Sequence, residues 1–171
     1  TGPWRYREFE FSTPGGRSRA WAYPIGVQLK LCGLIKGFVP LDFGTANDQQ
    51  SGKGTRQRMT AAFFNRRMEV ITQSDLHIGG TSEMFKSACL AGKMFIQLDN
   101  FDHFQCREME AFLTGENVRM RDAYGRSRSI DPANFFVSLS SNGLAARRDL
   151  ALRSWFIRIL KKQEGYQFHQ Y

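Results

Sequence analysis

The chain has 171 residues, 42% of them hydrophobic, which is enough for one globular domain and excludes a disordered chain. Its formal net charge is +8, an excess that favours a polyanionic partner such as nucleic acid. No apolar run approaches the ~20 residues needed to span a bilayer, and no basic-then-apolar leader opens the chain, so no membrane partner is expected. Cys32, Cys89 and Cys106 are far apart and form no C-x-x-C pair. That argues against a zinc site or a disulfide framework and predicts three buried thiols in a reducing, cytoplasmic setting.

Residues 1–17 are aromatic and basic and end in Pro14-Gly15-Gly16, the composition of an extended linker. The start at Thr1 rather than Met reads as a piece excised from something longer. Residues 18–36 carry apolar side chains at near-helical spacing, interrupted by Pro24, Gly26 and Gly33, and predict a helix packed beside the core. The expected organisation is a linker and packing helix over 1–37, a core over 38–163 and a tail over 164–171.

From Phe38 onward short apolar runs alternate with helix-like stretches. Strands are predicted over 39–46, 68–72, 94–99, 134–142 and 154–160. Helices are predicted over 51–67, 81–91, 105–114 and 145–153. Such alternation implies an α/β fold with a mainly parallel sheet flanked by helices.

The strand VPLDFGTA leads through the polar loop NDQQSGKGT into a helix, the context a P-loop requires. Unpaired N–H groups and the dipole at a helix N-terminus favour phosphate there. Lys53 would reach the β- and γ-phosphates, and Gly52 would permit close backbone approach. Asn47, Gln50, Ser51, Gly52, Lys53, Gly54 and Thr55 form the expected nucleotide loop. Two positions depart from G-x-x-x-x-G-K-[ST]: Asn47 replaces the first Gly, and Gly54 replaces the hydroxyl residue, leaving Thr55 as the hydroxyl candidate for magnesium.

In MFIQLDN, Asp99 ends the most hydrophobic strand. A carboxylate at the C-terminal tip of a parallel strand sits at the ligand-binding edge and can hold magnesium; the alternative is a cap on the following helix. Asn100 follows, where ATPases often carry a Glu; it can orient water but cannot act as a base. Asp102 and Glu108 are nearby carboxylates, and Glu83 is a more distant one.

Between 113 and 131, Arg119, Arg121, Arg126 and Arg128 alternate around a turn at Tyr124, which predicts a protruding β-hairpin. Its arginines suit a phosphate backbone and Tyr124 suits stacking on a base; an exposed charged hairpin is the competing reading. The strand NFFVSLSSN ends in Asn142. If that strand lies between the two strands carrying Lys53 and Asp99, Asn142 points at the γ-phosphate; otherwise Asn-Gly is an ordinary turn. Arg147, Arg148 and Arg153 follow on a short helical stretch, as candidates to stabilise transferring-phosphoryl charge or as a solvated basic face.

In content and order these segments resemble the AAA+-like superfamily III helicases, in particular phage and plasmid replicative primase–helicases. The resemblance runs from PLDFGTANDQQSGKG through SEMFKSACLAGKMFIQLDN and MEAFLTGENVRMRDAYGR to FFVSLSSN and RRDLALRSWFIRI, roughly residues 38–160. It implies a P-loop NTPase fold, ATP and Mg2+ as cofactors, and a homo-oligomeric, usually hexameric, ring on single-stranded or forked DNA. By position it implies Lys53 in the phosphate loop, Asp99 at the metal, the arginines of 119–128 on DNA, Asn142 as sensor, and Asp149-Leu150 with Arg153 in the arginine segment. The implied setting is the cytoplasm of a bacterial host, with the protein host- or phage-encoded. No primase motif is visible. Two further readings compete: a small nucleotide kinase, suggested by the G-K-G-T run, and a non-enzymatic nucleic-acid-binding module with a relic nucleotide site, suggested by Gly54 and Asn100.

Overall fold

A computed structural model describes residues 8–48, 50–73, 80–101, 107–113, 115, 117–121, 127–141, 148–162 and 166. Within them the strands are β1 (Glu10–Phe11), β2 (Leu41–Ala46), β3 (Glu69–Thr72), β4 (Phe95–Asp99), β5 (Val118–Arg121), β6 (Ser127–Ile130), β7 (Phe136–Ser141) and β8 (Ser154–Leu160). The helices are α1 (Pro14–Leu31), α2 (Lys53–Phe63), α3 (Thr81–Leu90), α4 (Arg107–Leu113) and α5 (Arg148–Leu152). The architecture is α/β, with a central six-stranded sheet in the order β1-β8-β2-β7-β4-β3. All neighbours are parallel except β1 on β8, and β5 and β6 pair as a separate antiparallel ribbon. Strand β7 therefore lies between β2 and β4, the arrangement on which the sensor reading of its C-terminal end depends. Among the described residues no helix is long and apolar enough to cross a membrane.

Residues 8–17, expected as a linker, instead supply β1 and the first turn of α1. The Pro-Gly-Gly run works as a helix start: Thr13 caps it by accepting from Gly16 N at 3.0 Å, and Pro14 occupies the first turn, where its missing N–H is not needed. Pro24 lies inside the helix and is tolerated there, on the buried face with Tyr23 and Val27. Gly33, with φ +73°, follows the end of that helix, which stops at Leu31 rather than continuing to residue 36.

Period-two alternation assigns the two sheet faces. Leu41, Phe43, Ile71, Ile96, Leu98, Val137 and Leu139 face one core, closed by Phe85, Phe112 and Met120. On the opposite face Phe95 and Phe136 pack with Tyr23, Val27 and Ala61 of α1 and α2, while Ile157 and Ile159 pack with Phe9, Ala20 and Met59. Along this second face β4 and β7 turn polar toward their C-terminal ends, and β2 carries a buried Asp42. Gln97 precedes Asp99, Ser138 precedes Ser140, and Asp42 precedes Gly44, all beneath α2. Registers Gln97↔Ser138 and Asp42↔Ser138 place them side by side.

Helix α2 fills that polar trough. Arg56 and Asp42 form an ion pair, both side chains with no exposure at all. Gln57 Nε2 donates to the carbonyls of Asp42 (3.2 Å) and Leu139 (3.0 Å), which ties α2 to two adjacent strands. A Cβ on Gly44 would stand 3.0 Å from that Gln57 amide, so glycine is what lets the helix sit this close.

The cysteines divide. Cys89 is buried, and burial pushes its thiol up to about 12. Cys32, expected to be buried, is exposed at the end of α1. Cys106 lies outside the described residues.

Candidate functional site

Parallel strands β2, β7 and β4 end at the same edge of the sheet, and α2 begins there. An open cleft of ≈360 Å³ lies at this edge, lined by the loop Gln50–Thr55, Arg58, Asp99, Asn100 and Ser140. Residues 40 positions apart in sequence and more thus meet because three strand ends and one helix N-terminus share a boundary.

The loop geometry is set by two left-handed residues, Gln50 at φ +57° and Gly52 at φ +86°. Gly52 is the N-cap of α2 and no side chain caps the helix there, so its first N–H groups are directed at the cleft rather than consumed by a capping oxygen. The 11-residue helix adds its dipole. Ser51 is 1% exposed and its Oγ has no hydrogen-bond partner among the described residues, so a buried hydroxyl lines the cleft unsatisfied.

Lys53 is 8% exposed at the floor. Burial lowers its ammonium below the ordinary lysine range, and the nearby carboxylates of Asp99 and Asp48 partly offset this. A cation held in a poorly solvated site gains most from an arriving anion. Asp99 faces it from the tip of β4. Its Oδ1 accepts from Ser140 Oγ at 2.5 Å and from Gln97 Nε2 at 3.1 Å. Both lone pairs of Oδ1 are engaged, which leaves Oδ2 for a cation. Ser140 Oγ in turn accepts from Asn100 N at 2.9 Å, and Phe101 N donates to Ser140 O at 3.0 Å. Ser140 thereby fixes the turn that follows β4.

The departures from the loop pattern have local causes. A Cβ at Gly54 would lie 2.9 Å from Gln97 Nε2, an amide already committed to Asp99. The position that usually carries a hydroxyl is therefore closed by Gln97. Asn100 has φ +57°, a left-handed conformation that Asn tolerates far better than Glu. Asn47 has left the cleft: its Oδ1 accepts from Lys161 N at 2.9 Å, and Lys161 Nζ pairs with Asp48 at 2.9 Å. These contacts anchor the start of the loop to the end of β8.

The structure thus gathers Gln50, Ser51, Gly52, Lys53, Gly54, Thr55, Asp99 and Asn100 and turns Asn47 away. Asn142 and Arg147 lie outside the described residues. Arg148 opens α5, and Arg153 follows it, half-buried, at the start of β8. Arg153 is not among the described residues that line the cleft of this single chain. In the ribbon, Arg119 and Arg121 are exposed on one face opposite Ser129 and Ser127, while Arg128 stands opposite the buried Met120 on the other face. The register divides arginines that alternation in sequence had grouped; Tyr124 and Arg126 lie outside the described residues.

Sequence reasoning missed Ser140, Gln97 and Arg58. The first two were legible in principle, as polar residues at period two behind a strand-end carboxylate. Among the described residues no group of three or more His, Cys, Asp or Glu side chains is placed to hold a metal ion. A magnesium ion brought in on a polyphosphate needs only one or two carboxylates and keeps its water, and Asp99 meets that requirement. No protein-family model matches the chain, and no curated protein matches it.

Proposed function

We propose that the chain is the core of a P-loop ATPase of the AAA+-like superfamily III helicase kind, driving movement along single-stranded or forked DNA as an oligomeric ring. One observation carries this reading: Gly52, Lys53 and Asp99 converge in one cleft at the C-terminal edge of a parallel sheet, with an uncapped helix N-terminus pointing into it. The position of β7 between β2 and β4 supports it, because Asn142 then follows a strand flanked by both halves of the site. The net charge of +8 and the exposed Arg119 and Arg121 support a nucleic-acid partner.

ATP with magnesium, when bound, supplies the transferable phosphoryl group and its charge-neutralising cation. The backbone N–H groups of 52–55 and the Lys53 ammonium hold the terminal phosphates. Asp99 presents Oδ2 to the cation, its orientation fixed through Oδ1 by Ser140 and Gln97. Thr55, the next residue and part of the cleft wall, offers a hydroxyl in place of the one excluded at Gly54. Asn100, and Asn142 beyond it, orient water by hydrogen bonding without acting as bases. Arg147, Arg148 or Arg153 serves a neighbouring subunit's site, consistent with Arg153 standing apart from this chain's own cleft.

Gly54 and the left-handed Asn100 favour a second reading, a nucleic-acid-binding module that holds nucleotide without turning it over. ATP hydrolysis by the assembled oligomer, with and without single-stranded DNA, separates the two. DNA-stimulated hydrolysis that is lost in Lys53→Ala supports the ATPase; nucleotide binding without hydrolysis supports the module.

A further inference from the structure

Arg58 has no role in the loop pattern, yet it lines the cleft. It lies four residues after Gly54, on the same side of α2, and helical side chains lean toward the N-terminus. Its side chain accordingly runs back over Gly54, and its Cζ lies 3.9 Å from the point a Gly54 Cβ would occupy. Gln97 Nε2 and Asp99 Oδ1 lie 2.9 and 3.7 Å from that same point. A guanidinium thus shares the cleft with the strand-end carboxylate, near the position where the usual loop carries a hydroxyl residue. A Cβ at 54 would crowd Gln97 and come into ordinary contact with the Arg58 guanidinium.

We infer that Arg58 is a phosphate-binding residue whose fixed charge replaces most of the divalent ion's contribution to nucleotide binding. This rests on the phosphate-cleft reading. Lys53 and the start of α2, with no side-chain cap, border the same cleft, so Arg58 adds to donors already gathered there. Arginine is suited to the role because its planar fork offers paired donors to phosphate oxygens and stays charged at every accessible pH. With one oxygen of Asp99 already saturated, the cleft is better provided with fixed donors to phosphate than with ligands to a metal.

The test is the affinity for a fluorescent ATP analogue, by anisotropy, in magnesium and in excess EDTA, for wild type, Arg58→Gln and Arg58→Lys. Wild-type affinity should change by less than about threefold on chelation, whereas Arg58→Gln in EDTA should bind about tenfold more weakly than wild type, the scale of one lost charge-assisted contact. Arg58→Lys should recover part of the loss. A wild type that loses tenfold or more on chelation overturns the inference whatever the variants do, and so does Arg58→Gln binding unchanged in EDTA. No binding by wild type under either condition overturns the phosphate-cleft reading itself. Arg58 is exposed, and unchanged thermal unfolding of the variants separates loss of contact from loss of fold.

Discussion

Ser140 Oγ donates to Asp99 Oδ1 at 2.5 Å, across the boundary between β7 and β4, and the same oxygen accepts from Asn100 N. One hydroxyl thus orients the site's carboxylate and fixes the backbone turn behind it. Ser140→Ala removes a hydrogen bond to a charged group and the hydroxyl that accepts from Asn100 N. Destabilisation of about 1.5–3 kcal/mol is expected, from urea unfolding, together with weaker nucleotide-dependent activity. Ser140→Thr, which keeps the hydroxyl, should restore part of both.

Gly54→Ser would restore the usual loop pattern and should nonetheless harm the protein. The new Cβ forces Gln97 Nε2 from its place, and that amide is buried and bonded to Asp99. A cost of about 1–3 kcal/mol is expected from the broken bond and crowding. Gln97→Ala in the same chain removes the obstacle, so the double variant should lose less than the two single losses added together. Additive losses in a thermal or urea cycle would show that the two positions do not compete.

The Asp42–Arg56 pair lies beneath the cleft with both side chains fully buried. Asp42→Ala strands a buried guanidinium and should cost about 3–5 kcal/mol, measured by urea unfolding. The pair also joins α2 to β2, so its loss should weaken nucleotide binding even where the fold survives. Asp42→Asn, which keeps the shape and one acceptor, should cost less.

Much of this was legible in advance. The α/β alternation, a helix after the Ser-Gly-Lys loop and the pairing of 118–121 with 127–130 follow from period and punctuation, because local pattern decides them. The helix beginning at Pro14 was misread as linker because Pro-Gly-Gly resembles a turn; the deciding contacts, with Phe9 and Ile157 in one cluster, are distant in sequence. The site was half legible. Asp99 stands at a strand end and Lys53 at a helix start, where pattern speaks. The reasons for Gly54 and Asn47 were hidden, since Gln97 and Lys161 reach them only through the sheet. The arginines of the ribbon were grouped by spacing and separated by register, which spacing does not set.

Lys53 also predicts a pH response. Burial lowers its folded-state value below 10.5, so the unfolded chain binds more protons in the window between the lowered value and 10.5. Stability of the ligand-free protein should therefore rise with pH across that window. Nucleotide affinity should do the reverse, because phosphate favours the ammonium, which is lost as pH rises through the lowered value. Binding should be accompanied by proton uptake in that range, measured by calorimetry in buffers of different ionisation enthalpy. Lys53→Arg should abolish the uptake.

The central claim is that the cleft at the ends of β2, β7 and β4 binds phosphate through Lys53. Equilibrium binding of a fluorescent ATP analogue to wild type and Lys53→Ala tests it most directly. Saturable wild-type binding that is weakened about tenfold or more in Lys53→Ala, with the fold intact, is the predicted result. Equal binding by the two proteins, or none by wild type, would contradict it.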